Sequence, residues 1–339
     1  MVLRVEDVLN KKIIVFGRGT IQEHLESVFS NLDIQYYVDN DVRKQGTKYK
    51  NKEVKKPENI MLQDLNDTSI LICSLSYQEI SMQLNQMGLK ENIHYIDALE
   101  LLPGSSVRKF LMIDDDMENE FIDIYTRCRK YSFTSIQRMY ALYKAVEYVF
   151  KNKIRGDIVE CGVWKGGSAM LCALALQQWG DTDRNIYLYD TYTGMSEPTE
   201  NDVDFKNNFA IDKWGKLQKN GTLVDWCLSP VDEVRKNLYL TGYPPNRIVF
   251  IEGKVEDTIP HTTPEQISIL RLDTDWYEST KHELQYLFPL LSDKGIIIID
   301  DYGHWQGAKL AVDEYFIQND INILLNKIDY SGRIGLKIL

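Results

Sequence analysis

The chain has 339 residues, 44% hydrophobic and 26% charged, with 50 acidic against 39 basic side chains and a formal net charge of −11. At roughly 150 residues per domain this length predicts about two domains. The acidic surplus argues against a nucleic-acid or anionic-membrane surface, since both need clustered Lys and Arg. No apolar run approaches the roughly 18–20 residues of a membrane helix. Residues 1–10 carry Arg4, Glu6 and Asp7 where a secretion signal needs an apolar stretch. Five scattered cysteines with no CxxC pair read as reduced thiols, with neither a disulfide framework nor structural zinc. A cytoplasmic protein is expected.

In chain order, the first apolar run is 12–16 (KIIVF). Gly17-Arg18-Gly19-Thr20 follows, then a helical stretch to about residue 29. Strands are predicted at 34–38, ending at Asp39, and at 69–73, with a helix over 77–87 that Gly88 terminates. Strands alternating with helices imply a small Rossmann-like parallel α/β domain over residues 1–102. Its turn has the first two glycines of G-x-G-x-x-G, but Gln22 stands where the third would permit close helix–strand packing. A nucleotide or nucleotide-sugar site, a docking module and a domain that only packs all remain open. Residues 103–133 read as a linker, from Pro103-Gly104-Ser105-Ser106 through the acid run Asp114-Asp115-Asp116.

A long amphipathic helix is predicted from Thr134, whose pattern Thr134-Ser135-Ile136-Gln137 is that of a capping box. Ile136, Met139, Tyr140, Tyr143, Val146, Val149 and Phe150 follow at helical spacing and form an apolar packing face. A second α/β unit over 134–339 then has strands at 157–161, 185–189, 247–251, 267–272 and 295–299, and a terminal hairpin of 321–328 with 333–339. The run Gly295-Ile296-Ile297-Ile298-Ile299 suits a central strand buried on both faces. The set fits a doubly wound, mostly parallel seven-stranded sheet with an antiparallel edge.

Chemistry collects at the predicted strand ends. Glu160-x-Gly162-x-x-x-Gly166-Gly167-Ser168 links a strand to a helix whose N-terminus favours an anionic group. It lacks the Gly-Lys-Ser/Thr of a phosphate-binding loop, and Glu160 suits an ammonium instead. A plain tight turn is the simpler alternative. Asp190 ends the next strand, where a carboxylate can accept both hydroxyls of a ribose. Together Glu160 and Asp190 indicate an adenosine ligand with a positively charged amino-acid tail, the combination in S-adenosylmethionine. Asp273 and Asp275 follow one further strand, and Asp300-Asp301 the next. Four carboxylates converging on one crevice repel each other unless a cation is present. All-oxygen ligands suit Mg²⁺ or another hard divalent ion. Helix-capping Asp residues are the structural alternative. His304 lies just beyond on the same loop. The excursion between Asp190 and Arg247 holds Phe205, Phe209, Trp214 and Trp226, whose faces could stack on a sugar or simply anchor a surface segment.

Four segments carry a resemblance: residues 156–168 (GDIVECGVWKGGS), 189–195 (YDTYTGM), 270–280 (LRLDTDWYEST) and 299–308 (IDDYGHWQGA). In this order they resemble the macrocin O-methyltransferase (TylF) family over about residues 120–339. The resemblance implies a class I methyltransferase fold acting on a sugar hydroxyl in natural-product or surface-polysaccharide biosynthesis. It implies S-adenosylmethionine bound by Glu160, Gly162, Val163, Trp164, Gly166, Gly167 and Ser168 with Asp190 and Thr191, joined by Gly253 and Val255. It further implies Mg²⁺ on Asp273, Asp300 and Asp301, and a lid in the segment before the catalytic sheet. Asp273 is the first choice of proton acceptor, with Asp275 and His304 as alternatives. The expected partner is a small sugar acceptor, with neither nucleic acid nor membrane, and homo-oligomer formation is left open. Two other chemistries use some of these residues: a metal-dependent glycosyltransferase with Asp273-Thr274-Asp275 as its DxD, and a nucleotide-sugar oxidoreductase built on the first domain.

Overall fold

The computed structural model describes residues 11–102, 104–111, 113–219 and 223–338. The signal-peptide reading of residues 1–10, Pro103 of the expected linker and the final Leu339 lie outside them. Two compact units are present, residues 1–130 and 131–339.

In the first unit, β-branched and aromatic residues make β1 (Lys12–Phe16), β2 (Ile34–Val38) and β5 (Thr68–Ile72), whose side chains are largely buried on both faces. The sheet is wider than the three expected strands. β3 (Lys48–Tyr49), β4 (Lys52–Lys55) and β6 (Tyr95–Asp97) extend it to the order β3-β4-β2-β1-β5-β6. These additions are two to four residues long and mostly polar, so they carry no period-2 signal of their own. Only the β3–β4 pair is antiparallel. The stretch read as a linker contains helices Gly104–Phe110 and Asn119–Cys128. Phe121, Ile122, Ile124 and Cys128 are buried along the second of them.

The second unit is built on β7 (Asp157–Cys161), β8 (Ile186–Asp190), β11 (Ile248–Glu252), β12 (Ile267–Leu272), β13 (Leu291–Ile299), β14 (Asn326–Lys327) and β15 (Arg333–Leu336). Between β8 and β11 the excursion forms helices Ala210–Leu217 and Val231–Tyr239 and a minimal hairpin of β9 (Gln218–Lys219) with β10 (Leu223–Val224). The sheet order is β11-β8-β7-β12-β13-β15-β14, parallel through β13 and antiparallel beyond it. The closing hairpin is shorter than expected, because residues 321–325 form no strand. Ile296 to Ile299 are buried, each side chain contributing about 1.5–3 kcal/mol through loss of contact with water. Among the described residues, no helix is long and apolar enough to cross a membrane.

The helix Ile136–Lys151 corrects the expected cap. Ser135 is the N-cap, and its hydroxyl accepts from the Arg138 N–H at 3.2 Å. Thr134 is drawn elsewhere, its Oγ1 accepting from the Arg271 guanidinium at 3.0 Å. A buried charge needing a partner thus outcompetes the local box.

Candidate active site

The C-terminal ends of β7, β8, β12 and β13 bring the predicted residues to one edge of the sheet. The turn after β7 is shaped by packing. Gly162 has φ +83, and a Cβ there would overlap the Asp273 carbonyl oxygen. Gly166 is the left-handed N-cap of helix Gly167–Trp179, with Leu238 2.5 Å from where its Cβ would be. A Cβ on Gly167 would lie 2.6 Å from the Ser132 side chain. Close approach of protein to protein therefore accounts for all three glycines. Gly162→Ala is expected to cost more than the roughly 1–3 kcal/mol of a left-handed non-glycine residue. A lowered thermal unfolding midpoint measures it.

Asp190 braces the same turn. Its Oδ2 accepts from the backbone N–H groups of Val163 and Trp164 at 2.7 and 3.0 Å, and its Oδ1 from that of Tyr192 at 2.7 Å. Burial pushes its carboxyl up, and these N–H groups pull against that shift. Trp164, at φ +47, stacks its ring on Phe133 with centroids 3.9 Å apart. Ser168 is buried beside Met139.

An open cleft of about 430 Å³ runs along these strand ends. Gly162, Asp190, Thr191, Gly253, Val255 and Asp273 line it. So do Met195, Thr274 and Ser279, which fall within the segments that carry the family resemblance, and Ser196, Lys254 and Glu256, to which the sequence reading gave no role. Ser196, Lys254 and Glu256 are polar residues of unremarkable type, recognisable only once the strands are aligned.

Beside the cleft the carboxylates gather. One oxygen each of Asp273, Asp300 and Asp301 lies within 4.8 Å of the others. Two arginines that the sequence reading passed over thread the cluster. Arg271, buried on β12, reaches Glu160 and Asp273 at 2.7 Å and Asp300 at 2.6 Å. Arg138 pairs with the other oxygen of Asp300 and, through Nε, with Asp329 at 3.0 Å. The signal for Arg271 was a lone charge inside the apolar run Ile-Leu-Arg-Leu. Five carboxylates at or near strand ends, Glu160, Asp273, Asp275, Asp300 and Asp301, share the site with these two cations, one of which also serves Asp329.

That imbalance shows in the acidities. Burial, with repulsion from Asp300 and Asp301, holds the Asp273 carboxyl well above the carboxylate range, against the pull of Arg271. Burial and repulsion from Asp275 and Asp300 do the same to Asp301. Asp275 is pushed up to about 7 by burial and by Asp273. It sits at φ +68, beside Trp305 and Asp301. Glu160 is raised to about 7 by burial, partly offset by Arg271. Within this group of five carboxylates, two oxygens remain buried without a hydrogen-bond partner, Glu160 Oε2 and Asp301 Oδ2.

His304 lies three residues beyond Asp301 and is not among the residues lining the cleft. Its Nδ1 is 3.0 Å from the Tyr330 hydroxyl, and Phe205 meets its ring edge-on at 5.3 Å. Burial lowers its pKa. Trp226, Trp276 and Trp305 pack together beneath, with Ala210 and Ala308. Of the four candidate aromatics, Trp226 anchors the excursion here and Trp214 donates to the Met195 carbonyl, whereas Phe205 and Phe209 remain exposed.

Residues 111–334 match the sequence profile of the macrocin O-methyltransferase (TylF) family. The chain belongs to this family. Residues 9–93 match a separate profile, the C2185-like N-terminal domain. Among curated relatives of this chain, 8-demethyl-8-(2,3-dimethoxy-α-L-rhamnosyl)-tetracenomycin-C 4′-O-methyltransferase of Streptomyces olivaceus is 32% identical over 203 residues, 60% of this chain and 74% of that one. Demethyldecarbamoylnovobiocin O-methyltransferase of Streptomyces niveus is 32% identical over 202 residues, with the same coverage. The solved O-methyltransferase NovP superposes with a TM-score of 0.54 at 27% identity, covering 70% of this chain and all of NovP. The fold is that of a class I methyltransferase, preceded by an additional N-terminal α/β unit. Family membership makes the chain a methyltransferase, which sets aside the glycosyltransferase reading of Asp273-Thr274-Asp275.

Proposed function

We propose that the chain transfers a methyl group from S-adenosylmethionine to a sugar hydroxyl with the aid of a hard divalent cation, Mg²⁺ in the first instance. The observation that carries this reading is the surplus of carboxylates, with a buried unpartnered oxygen on Asp301, beside a cleft at the ends of β7 and β8. An all-oxygen, net-negative donor set fits such a cation. Asp273, Asp300 and Asp301 would hold it. The relatives named above include a methyltransferase acting at a rhamnosyl-bearing substrate, and a further relative is the mycinamicin III 3″-O-methyltransferase of Micromonospora griseorubida, which supports a sugar as the acceptor class.

When bound, S-adenosylmethionine supplies an electrophilic methyl group, and the cation supplies charge that makes a hydroxyl proton easier to remove. The protein's residues do the rest. Asp190 and Gly162 fix the floor of the cleft, so a ligand meets a rigid turn. Arg271 and Arg138 orient Asp300 by holding both of its oxygens. Asp275 is not paired with either arginine, so its carboxylate is the proposed acceptor of the hydroxyl proton as the new C–O bond forms. This departs from the initial choice of Asp273, whose Oδ2 is occupied by Arg271. The rings of Phe205 and His304, in edge contact with each other, are the proposed stacking surface for a sugar.

The test is to incubate the full chain with S-adenosylmethionine, a panel of glycosides and nucleotide sugars, and either Mg²⁺ or a chelator. S-adenosylhomocysteine and a singly methylated sugar are expected only with the metal. Turnover that ignores chelation, or methyl transfer to an aglycone alone, overturns the corresponding part of the reading.

A further inference from the structure

The N-terminal unit holds a cavity that methyl transfer does not use. It lies at the C-terminal ends of β1, β2 and β5 and has an open volume of about 920 Å³. The sheet order changes direction at β1, with β2 on one side and β5 on the other. In an open parallel sheet, that point leaves a crevice in which ligands bind.

Two helix N-termini open onto it. Thr20 and Ile21, in the first turn of helix Thr20–Val28, line the cavity, as does Ser76, the N-cap of helix Tyr77–Gln86. Neither helix has a side-chain cap, so first-turn N–H donors of both are left to other partners. The two turn glycines have different origins. Gly17 is demanded by the fold, with φ +96 and a Cβ position 2.7 Å from the Cys73 carbonyl oxygen. Gly19 is not. Its φ of −174 is extended backbone open to any residue, and a Cβ there would meet nothing within 4 Å. Ser, Asp or Asn would make a better N-cap at this position. Neither backbone nor packing explains the glycine, whereas an anion approaching the bare helix end does.

The remaining lining adds recognition. Asp39 ends β2, is 7% exposed and is held by the N–H groups of Arg18 and Asp41 at 3.0 and 2.9 Å. A carboxylate there faces the place of a ribose. Lys44, 2.9 Å from Asp39, and Arg18 bring positive charge to the same wall. The lining comes from the ends of three strands and none of it from β6, which matches one nucleotide rather than two. Gln22, in place of the third glycine of a dinucleotide turn, is fully buried.

We propose that this cavity binds a nucleoside diphosphate, free or as the nucleotide half of a nucleotide sugar, with its diphosphate between the two helix ends and its ribose at Asp39. The test is calorimetric titration of the full chain with UDP, dTDP, GDP, CDP and ADP, their glucose conjugates and NAD⁺. Each titration is run alone and with S-adenosylhomocysteine in excess, so that binding in the methyltransferase cleft is separated from binding here. One equivalent of at least one diphosphate is expected to bind in both conditions. Tighter binding of a glucose conjugate than of its parent diphosphate identifies a nucleotide sugar as the source. Gly19→Asp places a carboxylate among the uncapped N–H groups and should weaken binding at least about tenfold. Because Asp is a favoured N-cap with open space around it, thermal unfolding should be unimpaired. Arg18→Ala should weaken binding without altering S-adenosylhomocysteine affinity. Failure of every diphosphate to bind, unchanged affinity in Gly19→Asp, or NAD⁺ binding about tenfold more tightly than ADP overturns the proposal.

Discussion

Asp301→Asn is expected to lower methyl transfer by about 100–1,000-fold, the scale on which a single preorganised electrostatic group contributes to turnover. The substitution is nearly isosteric. It breaks no arginine pair, because Arg138 and Arg271 hold Asp300 and not Asp301. What it removes is the capacity to carry negative charge at an oxygen that is buried without a partner. If a cation belongs there, its affinity falls and the acceptor hydroxyl keeps its proton; if none does, neutralising one of several crowded acids relieves repulsion and costs little. Calorimetry with S-adenosylhomocysteine should give an affinity within about threefold of the parent chain, since the cleft's floor is built from the turn after β7 and the end of β8. Excess chelator should reproduce the loss in the unmodified chain. Asp300→Ala would also be inactive but is less informative, because it takes one partner from each of two arginines at once. Near-normal turnover in Asp301→Asn would remove the cation from the mechanism.

The sequence carried the architecture of the catalytic unit because its strands are continuous apolar runs and its chemistry sits where those runs stop. Asp190, Asp273 and Asp300 each occupy a strand end or the residue after one, and Glu160 the last position but one, places readable without coordinates. Shorter features escaped. β3, β4 and β6 acquire their pairing from neighbours, since Lys-Tyr, Lys-Glu-Val-Lys and Tyr-Ile-Asp have no pattern that outweighs a loop. The displaced helix cap is instructive in the same way. Thr134 and Ser135 are both good caps, and only the distant Arg271 decides between them. The glycines of the turn were legible as special, but the reason was not. Gly162 faces the Asp273 carbonyl and Gly167 the Ser132 side chain, contacts between segments far apart in sequence. Ion pairs of this kind have no local signature: Arg271 and Glu160 are 111 residues apart.

Arg271→Met should be the most destabilising single change in the site. The residue it replaces is buried and serves Glu160, Asp273 and Asp300 together. Exchanging all members of a buried ion cluster for apolar groups can be neutral, but removing one partner strands the others and typically costs about 3–5 kcal/mol. For a unit of this size that corresponds to a fall of about 6–20 °C in the unfolding midpoint. Arg271→Lys should recover part of it, because one ammonium lacks the planar fork that spans several carboxylates. The loss should also depend on pH. Glu160 has a folded pKa raised by burial to about 7 from its ordinary 4.5. Such a group binds its proton more tightly in the folded chain, so its contribution to stability is fully present below about pH 4.5 and is lost as pH rises through about 7. Without the guanidinium, the folded value climbs further and the loss extends to higher pH. The midpoint deficit of Arg271→Met relative to the parent chain should therefore be larger at about pH 8 than at about pH 5. A deficit that stays constant, or shrinks, would mean that Arg271 acts through packing of its stem rather than as the counter-charge of the cluster.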